Sequence, residues 1–90
     1  MPTISFFYGV LIKMFFKDAK KHHLPHIHAE YQDSVAVYAI KTGKKITGKM
    51  PRAKHKLIVA WLEIHKDALL ANWALAVAGE DLFTIKGLDQ

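Results

Sequence analysis

The stretch between Pro51 and Gly79 limits the fold more than any other part of the chain. Proline suits a first helical position, because the N–H it lacks would have no partner there. Glycine suits the residue just past a helix end, where the backbone turns left-handed. Together they predict one long helix over the interval. Leu57, Ile58, Trp61, Ile64, Ala68, Leu75 and Ala76 recur at helical spacing and form an apolar stripe. Lys56, Glu63 and Asp67 lie opposite. Such a helix needs a second layer to cover its stripe. Val59, Leu70, Trp73 and Val77 fall outside the stripe, as either ordinary surface or the face of a homodimer.

The second layer comes from the first half of the chain. Residues 3–8 are rich in aromatic and β-branched side chains, and Gly9 interrupts them. Residues 10–16 alternate, with Ile12, Met14 and Phe16 on one face and Lys13 on the other, between Leu11 and Phe15. Residues 17–25 are polar and end in Leu-Pro, which reads as a connection. Residues 26–31 read as extended, and Gln32-Asp33-Ser34 as a turn. Residues 35–40 are apolar on both faces, as in a central strand. Thr42-Gly43-Lys44 then turns the chain into a short charged edge strand over residues 45–49. The reading is an α+β fold in one domain, residues 1–90. An antiparallel sheet of about four strands is covered by one long helix, in the order β-β-β-β-α. Residues 82–85 could add a short last strand at a sheet edge.

Composition narrows the setting. A chain of 90 residues with 51% hydrophobic and 23% charged residues has an ordinary globular mix, which argues against disorder. The absence of cysteine fits a reducing, cytoplasmic location. Residues 4–16 lack the basic start and the cleavage site of a secretory signal. Residues 57–77 carry Glu63, His65, Lys66, Asp67 and Asn72, too polar for a membrane span.

Charge is distributed unevenly. The formal net charge is +5, and no acidic residue stands between Asp33 and Glu63. That interval holds Lys41, Lys44, Lys45, Lys49, Arg52, Lys54 and Lys56. A cationic surface of this kind attracts phosphate backbones or acidic proteins, or simply keeps a protein dissolved. Arg52 is the sole arginine, so any nucleic-acid contact would favour the backbone over base edges. Cations in the first turn of a helix oppose its dipole unless an anion binds there. Lys44, Lys45, Lys49, Arg52 and Lys54 are therefore the candidate binding residues.

The densest chemical feature is His22-His23-Leu24-Pro25-His26-Ile27-His28-Ala29-Glu30-Tyr31. On a strand, His26, His28 and Glu30 share a face. Two such imidazoles could hold a divalent metal such as Zn, Mn or Fe, with Glu30 as a further ligand or a base. His65 lies on the helical stripe, and reaching His26 and His28 would complete a three-histidine site. A buried His65–Asn72 pair bonding to strand backbone is the competing structural role. His26, His28 and Glu30 are the catalytic candidates, with Lys49 or Arg52 as a phosphate clamp. Tyr8, Tyr31 and Tyr38 are the aromatic residues best suited to roles outside the core. Nucleophile-elbow, P-loop, dinucleotide and zinc-protease signatures are absent.

An ordered set of residues carries a family resemblance: Pro2-Thr3-Ile4-Ser5 with Phe7-Tyr8-Gly9, Pro25-His26-Ile27-His28-Ala29-Glu30-Tyr31, and Pro51-Arg52-Ala53 leading to Trp61, His65, Leu69, Leu70, Asn72, Trp73 and Gly79. This pattern resembles the bacterial domain-of-unknown-function 4160 family. The family pattern has an Asp-His pair and two prolines before the His-x-His segment. Here Lys21 stands in the Asp position, His22 in the His position, and Leu24 replaces the first proline. The resemblance implies a small protein encoded beside a short partner, in an arrangement like a toxin–antitoxin pair, and some members carry a transcriptional-regulator label. It therefore implies a protein or nucleic-acid interaction module of a two-gene unit. The alternative is a small metal- or histidine-dependent hydrolase, such as a ribonuclease, using the His-x-His segment. A purely structural subunit is the third reading.

Overall fold

The computed structural model describes residues 2–15 and 24–90. Among these residues five strands precede two helices: β1 (Thr3–Phe7), β2 (Val10–Lys13), β3 (His26–Tyr31), β4 (Ser34–Ala39), β5 (Lys45–Gly48), α1 (Arg52–Ile64) and α2 (Lys66–Val77). The strands lie in chain order, and every neighbouring pair is antiparallel. The sheet thus has one strand more than the sequence suggests, because the runs on either side of Gly9 form separate strands joined by a Tyr8-Gly9 turn. β4 is interior, and β5 is an edge, as their apolar and charged patterns predict. Strand β2 stops at Lys13, and Phe16 lies outside the described residues.

One face of the sheet packs on the helices. Phe7, Val10, Ile12, Ile27, Ala29 and Tyr38 are buried there with Ile58, Trp61, Leu62 and Leu69. Trp61 sits with its ring 5.2 Å from that of Phe7. Burying a side chain of this size stabilises the fold by about 2–3 kcal/mol.

The predicted single helix is two. His65 leaves helical dihedrals (φ −109°, ψ 20°) and divides α1 from α2. The hydrogen-bond ladder continues across it, from His65 N–H to the Trp61 carbonyl and from Leu69 N–H to the His65 carbonyl. The junction is therefore a bend and not a loop. The buried residues Ile58, Trp61, Leu62, Leu69, Asn72 and Ala76 keep one helical spacing through it, and Ile64, expected on the buried stripe, lies off that line and is 66% exposed. Leu62 and Leu69, which the expected stripe leaves out, are buried. Of the second apolar set, Val59, Leu70 and Trp73 are partly buried against the protein's own core, and only Val77 stands exposed. The chain itself thus accounts for three of the four side chains that a dimer face would have explained.

The helix ends follow their sequence signals closely. Pro51 is the residue before α1 and not its first member. Gly79 lies just past α2 at φ 75°, with Gly79 N–H bonded to the Ala76 carbonyl and Glu80 N–H to that of Leu75. This pair of bonds is the Schellman termination that glycine favours.

Residues 82–85 form no strand, yet they do return to the sheet. Ile85 N–H donates to the Ile4 carbonyl at 2.7 Å. Side chains hold the segment from the helical side: Trp61 Nε1–H donates to the Lys86 carbonyl at 2.8 Å. Asn72 brackets Phe83, donating to its carbonyl at 2.8 Å and accepting its N–H at 3.0 Å.

Candidate binding surface

The cationic interval runs from the β4–β5 loop through β5 to the start of α1. The loop is closed by Gly43 N–H to the Ala39 carbonyl and Ala39 N–H to the Lys44 carbonyl, each at 2.9 Å. The Thr42 hydroxyl accepts the Lys44 N–H. Strand β5 then runs along β4, and Lys49 N–H donates to the Val35 carbonyl. Gly48 permits the close approach: a Cβ there would lie 2.2 Å from the Val35 carbonyl oxygen, at φ +92°. Lys41, Lys44, Lys45, Lys49, Arg52 and Lys56 are all exposed. The first turn of α1 contains no acid and, among the described residues, has no side-chain cap. Its positive end is thus reinforced by its own cations.

Lys54 is the exception among the candidate binding residues. It is half-buried, its ammonium donates to the Tyr8 carbonyl at 2.9 Å, and it lies 4.8 Å from the centre of the Tyr31 ring. Tyr8 holds a left-handed φ of 48°, so Lys54 ties α1 to a strained turn.

Next to Lys54 in the chain, His55 meets Tyr38, which the sequence set apart for a role outside the core and which is instead fully buried within it. The Tyr38 hydroxyl and His55 Nδ1 share a hydrogen bond of 2.8 Å from β4 to α1. Burial pushes the Tyr38 hydroxyl up to about 12, so it stays protonated. The one sequence signal for this pair was a tyrosine inside an otherwise apolar strand, which requires a polar partner nearby.

The histidine segment is arranged differently. His22 and His23 lie outside the described residues. His26 is fully buried, donates Nδ1–H to the Leu24 carbonyl at 2.8 Å, and packs 5.0 Å from the Trp73 ring. His28 is half-buried, 5.4 Å from His26 and stacked on Phe15 at 4.3 Å. Strand alternation does bring these two imidazoles together. Glu30 pairs with Lys13 at 2.9 Å. His65 lies against Trp61, 5.5 Å between rings. Among the described residues, no group of three or more His, Asp or Glu is placed to hold a metal ion. Asn72 is buried as expected, but it bonds the backbone of Phe83, not that of a strand. A groove of about 500 Å³ lies between β1 and the C-terminal segment, lined by Ser5, Lys86 and Gln90 among others. The buried Ser5 hydroxyl has no partner among the described residues. None of the candidate residues lines that groove.

Residues 9–74 match the family described as Domain of unknown function (DUF4160). The chain belongs to this family. The DUF4160 match takes in β2 to β5, α1 and α2 as far as Ala74, and so the whole cationic interval and the His-x-His segment. It leaves out β1 and the C-terminal segment that Asn72 holds. The chain matches none of the curated proteins and none of the solved structures. Among the described residues, no helix is long and apolar enough to cross a membrane.

Proposed function

We propose that this DUF4160 protein is an interaction module that takes an anionic partner on its cationic interval, as one member of a two-gene regulatory or toxin–antitoxin-like unit. The observation that carries the reading is the exposure of Lys41, Lys44, Lys45, Lys49, Arg52 and Lys56 along one continuous stretch with no acidic residue between them. Exposed like charges without intervening acids repel one another, and an anionic surface relieves that repulsion. The uncapped start of α1 adds unpaired N–H groups of the same sign.

A hydrolase built on His26, His28 and Glu30 draws less support. His26 is buried against Trp73 with Nδ1 committed to Leu24, and Glu30 is committed to Lys13. The test of the binding reading is retention of untagged protein on heparin. Retention at low salt that is lost steeply as salt rises is expected. Passage through the column at low salt would sink the proposal.

A further inference from the structure

The two edges of the sheet are finished in different ways. The β1 edge is partly covered, since Ile85 bonds to Ile4 and Gly87 presses so closely that a Cβ there would lie 2.7 Å from the Phe7 Cβ. Among the described residues, the β5 edge has no such cover. All four β5 residues are exposed, and among the described residues no backbone hydrogen bond reaches the outer side of the strand. An open strand edge is a template for another strand, and proteins commonly guard such edges with lysine.

We infer that the outer edge of β5 docks a short, extended, acidic segment of a partner protein by strand addition. The inference rests on the anionic-partner reading and deepens it. Lys44, Lys45 and Lys49 frame the edge, so a second copy of β5 would bring lysines against lysines. A neutral strand would meet the guard without any charge to offset it. An acidic strand alone turns the guard into attraction, so the lysines act as a selection rule as well as a barrier. Ile46, 39% exposed on the same strand, offers an apolar contact. The fitting partner segment therefore alternates acidic and apolar side chains. Main-chain bonds to β5 would supply affinity, and the side chains would supply choice. β5 spans Lys45–Gly48, so the paired stretch is short.

The experiment titrates isotopically labelled protein with a capped peptide of alternating Glu and Val, followed by amide shifts and amide hydrogen exchange. Saturable binding with slowed exchange at residues 45–48 is expected. A peptide of the same charge with proline at the alternate positions should bind about tenfold more weakly, because it cannot complete a ladder. The variant Lys45→Glu/Lys49→Glu should also lose about tenfold in affinity. Retention on heparin without protection of residues 45–48 by the peptide would overturn strand addition and leave the anionic-partner reading standing. So would a DNA duplex that binds more tightly than the peptide and leaves those amides unprotected. Failure of both heparin and peptide to bind would overturn the two together.

Discussion

The Asn72 carboxamide closes on the backbone of Phe83 from both sides, donating to its carbonyl at 2.8 Å and accepting its N–H at 3.0 Å. A fully buried side chain on α2 thereby fixes the C-terminal segment that runs beside β1. Asn72→Ala should destabilise the protein by about 2–3 kcal/mol, since both backbone groups lose their partner. Asn72→Asp keeps an acceptor for the Phe83 N–H but sets a buried carboxylate against the Phe83 carbonyl, so at neutral pH its loss should be at least as large. Hydrogen exchange should show residues 82–88 opening first in both variants. An unchanged melting temperature for Asn72→Ala would contradict this role.

The Tyr38–His55 bond makes a prediction about alkaline pH. Burial raises Tyr38 from 10.0 to about 12. The folded state therefore holds this proton more tightly than the unfolded state. The resulting stability is fully present below pH 10 and is lost as pH rises from there towards 12. Tyr38→Phe removes the titrating group, so the variant should lose less stability than the parent over that window. At neutral pH the same variant should be destabilised by about 1 kcal/mol, through the lost bond to His55. Denaturant titrations of both proteins at pH 8 and pH 11 check the two signs.

Two glycines with positive φ, Gly48 at 92° and Gly79 at 75°, should respond very differently to alanine. Gly48 faces the Val35 carbonyl oxygen and the Ala36 Cα, which are backbone atoms that cannot rotate away. Gly48→Ala should cost about 3 kcal/mol or more and detach β5 from β4. Gly79 has nothing within 4 Å of the added methyl. Gly79→Ala should cost only about 1 kcal/mol, the strain of the left-handed backbone alone. Equal losses would mean that contact with β4 is not what requires Gly48.

The adjacent histidines should also separate. His26→Ala removes a buried ring from between Leu24, His28 and Trp73, and should cost about 2–3 kcal/mol. His28→Ala removes a half-buried ring stacked on Phe15 and should cost about 1 kcal/mol. Thermal unfolding of the two variants decides the order. A His26→Ala protein as stable as the parent would restore His26 as a candidate for chemistry.

Much of this architecture is legible in the sequence where a local rule acts alone. Gly79 marks a helix end because few other residues turn left-handed without strain. The apolar run of β4 and the lysines of β5 reveal an interior and an edge strand by what each can bury. The bend at His65 has no such marker: neither proline nor glycine stands there, and the hydrogen bonds continue through it. The buried line itself passes through that bend in register, by way of Leu62, Leu69 and Asn72; the sequence assigns Ile64 to the core and overlooks Leu69 because apolar residues on both sides of the line allow more than one stripe to be drawn. The Asn72–Phe83 and Tyr38–His55 bonds are tertiary, and sequence spacing shows only that each polar group needs a partner. Among the candidate binding residues, Lys54 shows the same limit: its charge is plain in the sequence, but its attachment to Tyr8 depends on where α1 lands.

The most direct test of the central claim compares heparin affinity across a series of salt concentrations for the parent and for Lys45→Glu/Lys49→Glu/Arg52→Glu. All three positions are exposed, so the variant should fold with nearly unchanged stability. The account predicts strong, steeply salt-dependent binding for the parent, and weak binding with a flatter salt dependence for the variant. A parent that does not bind, or a variant that binds as the parent does, would contradict it.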